Sequence, residues 1–92
     1  YIMATLFKAD GTSKIVVPQK GKAFSLEESQ SYVDGDIECV HTYNKRIFVM
    51  NEEGKLRGLE VNINATVEYR KLVSPNDVLV GNVLLCWSDE IE

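Results

Sequence analysis

The sequence predicts an α+β domain: a small mixed or antiparallel sheet with one or two short helices, in the order ββαββ(α)β. Three features carry that expectation. The apolar runs are of strand length, as in Ile15-Val16-Val17, Ile47-Phe48-Val49-Met50 and Val83-Leu84-Leu85-Cys86-Trp87, and turn-forming residues bound them. One segment, Phe24-Ser25-Leu26-Glu27-Glu28, has the spacing that caps a helix. The run Asn51-Glu52-Glu53-Gly54 ends the most apolar strand with side chains able to bond their own backbone and a glycine free to take positive φ. With 92 residues the chain fills one domain, 1–92, and buries roughly 60 to 65% of its unfolded surface.

Taken in order, residues 3–9 are apolar-rich and meet Asp10-Gly11, a dipeptide that closes two-residue hairpins, so Ile15-Val16-Val17 is the return strand. Pro18 and Gly21 end that hairpin in a loop with Lys14, Lys20 and Lys22 nearby. Ser25 is placed to accept the Glu28 N–H while the Glu28 carboxylate reaches back. The helix it starts has a thin apolar stripe, Leu26, Tyr32 and Val33, and a left-handed stop at Asp34-Gly35. Residues 37–42 and 46–50 form a second hairpin around Tyr43-Asn44-Lys45; the second strand is apolar at odd and even positions, as an interior strand would be. Beyond Gly58 two patterns compete. Val61, Ile63, Ala65, Val67 and Tyr69 alternate with polar residues like a strand, whereas a helix capped by Asn62 would bury Ala65, Tyr69 and Leu72. After the turn Ser74-Pro75-Asn76-Asp77, residues 78–87 read as a closing strand interrupted by Gly81.

The balance of charge narrows the function. Ten Lys and Arg against fourteen Asp and Glu give a net charge of −4, the wrong sign for a protein that gains affinity by displacing phosphate counterions. A nucleic-acid reading would need a stripe made of Lys14, Lys20, Lys22, Lys45 and Arg46, and none is expected. The longest apolar run has five residues, far below the ~20 that span a bilayer. Met3 is read as the native start, with Tyr1 and Ile2 ahead of it, and no signal segment is recognised. Two cysteines, Cys39 and Cys86, sit in apolar stretches and are read as small buried hydrophobes in a reducing cytoplasm.

No motif assembles a catalytic set, and neither an enzyme activity nor a cofactor is expected. His41 and Cys39 would share one face of a strand, but with Cys86 they fall short of the four ligands of a structural zinc site, so no metal is assigned. Glu52 and Glu53 are adjacent in a turn, where side chains diverge, and acid–base work needs carboxylates that converge. Tyr1, Tyr43 and Trp87 lie at element ends and are the aromatic residues expected at the surface.

At the level of whole-chain pattern, the sequence resembles the domain of unknown function 3846 family, which is found in bacteriophages and in plasmid or conjugative elements. The resemblance rests on Lys8-Ala9-Asp10-Gly11-Thr12, on Phe24-Ser25-Leu26-Glu27-Glu28 with Gln30, Tyr32-Val33 and Gly35, and on Ile37-Glu38 with Val40. Its strongest part is Asn51-Glu52-Glu53-Gly54-Lys55-Leu56 through Gly58-Leu59 to Asn62, and Asp77-Val78 with Gly81-Asn82-Val83-Leu84 closes it. Relatives often carry proline where Glu60 stands here. The resemblance implies a helix over 63–71 and a mobile-element origin, and it transfers no activity.

Two functional expectations follow. The first is a non-catalytic accessory module in the cytoplasm of a bacterial host, binding a host or element-encoded protein through a sheet edge or the segment 51–62. The alternative is a small-ligand or nucleotide-binding protein whose polar pocket gathers Asn51, Glu52 and Asn62, with His41, beside the interior strand.

Overall fold

The structure is a computed structural model that describes residues 4–19, 21 and 23–91. The expected strand start at Met3, the aromatic Tyr1 and the loop lysines Lys20 and Lys22 lie outside the described residues. The elements are β1 Ala4–Phe7, β2 Ser13–Val16, α1 Leu26–Val33, β3 Ile37–His41, β4 Arg46–Asn51, α2 Ile63–Leu72, β5 Val83–Trp87 and a 3-10 turn Ser88–Glu90. The five strands form one sheet in the order β2-β1-β5-β4-β3, with every neighbouring pair antiparallel.

The first hairpin closes with three residues, not two. Lys8 N–H donates to Thr12 O (2.8 Å) and Gly11 N–H to Lys8 O (3.1 Å), so the loop is Ala9, Asp10 and Gly11. Only Gly11 takes the left-handed conformation, at φ 94°. The Asp10 carboxylate accepts the Thr12 hydroxyl (2.6 Å) and N–H (3.0 Å), and these bonds hold its carboxyl below the usual range.

Helix α1 starts as expected, with Ser25 Oγ accepting the Glu28 N–H at 3.1 Å. The reciprocal half of the box does not form, because the Glu28 carboxylate accepts the Gln19 N–H (3.2 Å) and the Tyr32 hydroxyl (3.1 Å) instead. The left-handed stop is Asp34 itself, at φ 62°. The buried face is also different: Leu26 is 57% exposed, whereas Ser29 and Val33 are buried. Phe24, ahead of the cap, supplies the missing apolar bulk and meets the Tyr32 ring edge-on at 6.1 Å.

One helix covers each face of the sheet. On the α1 face, Ala4, Leu6, Ile47, Val49, Leu84 and Cys86 pack with Phe24 and Val33; on the other, Phe48, Val83 and Leu85 pack with Ala65 and Tyr69 of α2. The double burial of β4 matches its interior place, although the middle strand is β5. Helix rather than strand is the outcome over 63–72. Ala65, Thr66 and Tyr69 are buried at helical spacing, while Val61, Ile63 and Val67, which create the apparent alternation, are 46 to 71% exposed.

The closing strand begins only at Val83. Upstream of it the chain turns aside to pair with the approach to α2, through Asn62 N–H to Leu79 O (2.8 Å), Gly81 N–H to Glu60 O (2.7 Å) and a Val61–Val80 bridge. Gly54 is needed for space and not, as the turn chemistry suggested, for positive φ. A Cβ there would lie 2.8 Å from Val80 Cγ2. At the C-terminal end, Glu90 is fully buried, accepts the Trp87 N–H on Oε1 (2.8 Å), and its carbonyl accepts the Phe24 N–H.

Candidate functional site

Helix α2 packs through Ala65 and Tyr69 on β5 and on Phe48 of β4, with Phe7 of β1 at one margin of that cluster and Val40 of β3 at the other. A cleft of about 170 Å³ opens there. Its floor is Val40, Met50 and Leu79; Tyr69 of α2 forms the back wall; Glu38, Glu52 and Asp77 bring carboxylates; and Lys55 and Leu56 come from the turn after β4. The β3–β4 register, Glu38 opposite Met50 and Val40 opposite Phe48, puts both β3 side chains on the α2 face.

Tyr69 combines a buried ring with a hydroxyl that keeps accessible surface at the cleft. The residue is only 6% exposed and its ring meets Phe48 edge-on at 5.2 Å, yet among the described residues its hydroxyl has no hydrogen-bond partner. Burial raises the phenol above its ordinary range, and the carboxylates of Asp77 and Glu38 add to the shift while Lys55 opposes it. The hydroxyl is therefore within electrostatic reach of the cleft's charges. Asp77 accepts the Lys55 ammonium at 2.9 Å and the Val78 N–H at 3.0 Å, and those two bonds hold its carboxyl below the usual range. The Lys55 and Asp77 side chains are 64% and 43% exposed, so this pair is a surface contact of small net worth.

The sequence-predicted site residues separate. Asn51 and Glu52 both line the cleft. Asn51 is committed internally: Nδ2 donates to Val33 O and Asp34 O (3.1 Å each) and Oδ1 accepts the Glu53 N–H (2.8 Å), so it ties the end of α1 to the turn after β4. Arg57 reinforces that tie by donating to Asp34 O at 2.9 Å. Asn62 is not among the cleft residues. It is 1% exposed and caps α2 through Oδ1 to the Ala65 N–H (3.1 Å), while Nδ2 donates to Phe7 O and Gly81 O at 2.8 Å each. His41, at an odd position of β3, belongs to the opposite face, opposite Ile47.

Cys39 shares that face with His41 but is exposed, against the expectation that it would be a buried hydrophobe. Cys86 is fully buried and both thiols are free. Burial, with the Glu90 carboxylate adding to it, pushes the Cys86 thiol up to about 12. Ile47 stands between His41 and Cys86 across the sheet, so the strands hold the two side chains apart. Among the aromatics expected at the surface, Tyr43 is 82% exposed and Trp87 40%, with the Arg46 guanidinium 4.7 Å from the Trp87 ring centre. Lys14 lies on β2, with β1 and β5 between it and the Lys45-Arg46 pair.

Tyr69, Glu38 and Asp77 escaped the sequence reading. They come from a helix, a strand and a loop far apart in the chain, and only the helical period of 65, 69 and 72 offered a signal for one of them.

Beside the cleft runs the free edge of β3. Thr42 N–H donates to Arg46 O and Glu52 N–H to Asp36 O, both at 2.8 Å, at the two ends of the β3–β4 ladder. Antiparallel alternation then directs the backbone groups of Glu38 and Val40 at β4, and those of Ile37, Cys39 and His41 outward. The opposite edge, β2, carries Lys14 and runs toward Pro18, two features that discourage strand addition; β3 has neither proline nor lysine.

No curated protein and no solved structure matches the chain. A family model described as Domain of unknown function (DUF3846) matches residues 6–92, nearly the whole chain, and the protein belongs to that family.

Proposed function

We propose that this protein is a non-catalytic binding module that captures an extended segment of another protein along β3, adding it to the sheet as a sixth strand. The observation that carries the reading is the unprotected β3 edge, with outward backbone groups at Ile37, Cys39 and His41, lying directly beside an open cleft. Strand addition takes its affinity from main-chain hydrogen bonds and its selectivity from pockets that receive alternate side chains, and both parts are adjacent here. Asn51 and Asn62 support a non-catalytic reading, since their side chains are spent on holding the fold together. An accessory role in a phage- or plasmid-bearing bacterium, and a cytoplasmic location, are part of the same proposal and lean on the family resemblance.

The test is a selection of displayed random dodecapeptides on the wild-type chain, followed by amide hydrogen exchange with a selected peptide. Protection gained at Ile37, Cys39 and His41 is the expected result; protection confined elsewhere refutes it. A second reading, a small-ligand protein, is favoured by the cleft and by a Tyr69 hydroxyl that has no partner among the described residues. It predicts a higher melting temperature in a metabolite thermal-shift screen, which the strand-addition reading does not.

A further inference from the structure

Resting on the strand-addition reading above, we infer that the captured segment carries a lysine or arginine at a position facing α2, and that its side chain lies over Val40 and Met50 to place its cation against Glu38, Asp77 and the Tyr69 hydroxyl.

Geometry asks for a long side chain. A strand added to β3 runs about 4.8 Å from it. Its residues on the α2 face stand next to Glu38 and Val40, and the cleft interior lies further in, above Met50 and below Tyr69. A side chain entering it has to cross the width of β3, which the three- or four-carbon apolar stem of arginine or lysine, ending in a charge, does well.

Charge selects the sign. Glu38, Glu52 and Asp77 bring carboxylates to the cleft, and Lys55, the one lysine lining it among the described residues, is engaged with Asp77. The chain carries −4 overall. Independently of the carboxylates, the Tyr69 ring is buried but its hydroxyl keeps accessible surface at the cleft and has no protein partner among the described residues, so it is free to accept a hydrogen bond from the cation's N–H groups. Lys55 already places an ammonium on Asp77, and because that pair is solvent-exposed an incoming cation can displace it. A second copy of this chain is the poorer occupant: two β3 strands paired edge to edge would bring a second Glu38 to the same face.

The experiment uses a peptide selected by display on the wild-type protein, synthesised with Lys, Met or Glu at each α2-facing position, and measured by fluorescence polarisation. Expected is one position where Lys exceeds Met and Glu, with an advantage over Glu of about tenfold that shrinks at high salt. Glu38→Gln and Asp77→Asn reduce that advantage, Tyr69→Phe weakens the Lys peptide selectively, and Lys55→Gln tightens it by about twofold to fivefold, the size of an exposed ion pair. Cys39→Pro removes one outward N–H without touching the β3–β4 ladder, and it weakens all peptides alike.

Peptides that bind the wild type in preference to Cys39→Pro, yet show no Lys preference, overturn this inference and leave strand addition standing. Selected peptides that bind Cys39→Pro as well as wild type, or no selected peptide at all, overturn both. A wild-type dimer that Cys39→Pro dissociates makes the occupant a second copy and also overturns the inference.

Discussion

Asn62 makes a sharp test of how this fold is held, because its side chain serves three backbone groups, two of them from distant parts of the chain. Replacing it by alanine removes the α2 cap, worth about 1 kcal/mol. It also leaves the buried carbonyl of Gly81 unpaired, costing about 1 to 2 kcal/mol, and removes a second bond, worth about 0.5 to 1.5 kcal/mol, from the Phe7 carbonyl, which stays in the β1–β5 ladder. The sum is about 2.5 to 4.5 kcal/mol, a large share of the roughly 5 to 14 kcal/mol available to a chain of 92 residues. Urea unfolding at pH 7 should show that loss, with a melting temperature lowered by roughly 10 °C or more.

Asn62→Asp separates the cap from the bridge. Aspartate caps helices as well as asparagine, so a residue acting only as a cap would tolerate it. Here the second carboxylate oxygen would replace Nδ2 and face two carbonyl oxygens at hydrogen-bond distance. The variant should be at least as unstable as Asn62→Ala at pH 7. Its carboxyl would be raised in the folded state, so folding favours the protonated form. The deficit should therefore shrink as pH falls from 7 toward 4, where a hydroxyl restores one donor. An Asn62→Asp protein as stable as wild type at pH 7 would falsify the bridging role.

Other outcomes follow from the same packing. The Cys86 thiol, pushed up from about 9 to about 12, stays protonated in the fold after an unfolded chain has lost its proton. Its contribution is present at neutral pH and lost as pH rises from 9 toward 12, by at most about 4 kcal/mol, and the stability of wild type relative to Cys86→Ala should fall over that window. With a thiol reagent at pH 8, Cys39 should label and Cys86 should not until the protein is denatured. Gly54→Ala should cost about 1 to 3 kcal/mol in denaturant unfolding, since its Cβ would sit 2.8 Å from the branched Val80 side chain. Arg46→Ala should cost about 0.5 to 1 kcal/mol by removing the guanidinium from the half-exposed Trp87 ring, and equal stability would dismiss that contact.

The element order was legible in the sequence because local chemistry and burial agree in most places. Ser25 caps α1, and the unbroken apolar run of β4 reflects helices on both faces. Where they disagree, the sequence misleads. Residues 61–69 alternate like a strand only because Val61, Ile63 and Val67 are apolar residues left in solvent, and nothing local distinguishes an exposed valine from a buried one. Asn51 and Asn62 stood out as polar residues in a turn-rich segment, but whether such an amide meets a ligand or a backbone carbonyl depends on partners 17 to 55 residues away. The cleft was hidden for a related reason. It gathers residues of β3, β4, α2 and two loops that are far apart in the chain, and no single one of them announces it.

The position of β5 has a consequence for assembly. The two hairpins, β1–β2 and β3–β4, form from neighbours in the chain, but in the sheet they touch only through residues 83–87. Until that late segment arrives, a nascent chain holds two ribbons with no ladder between them, each too small to persist alone. Closing the sheet around β5 joins segments distant in sequence, a step of high contact order, and a chain extended past Asn51 but short of Val83 carries two strand edges, on β1 and β4, that wait for a partner.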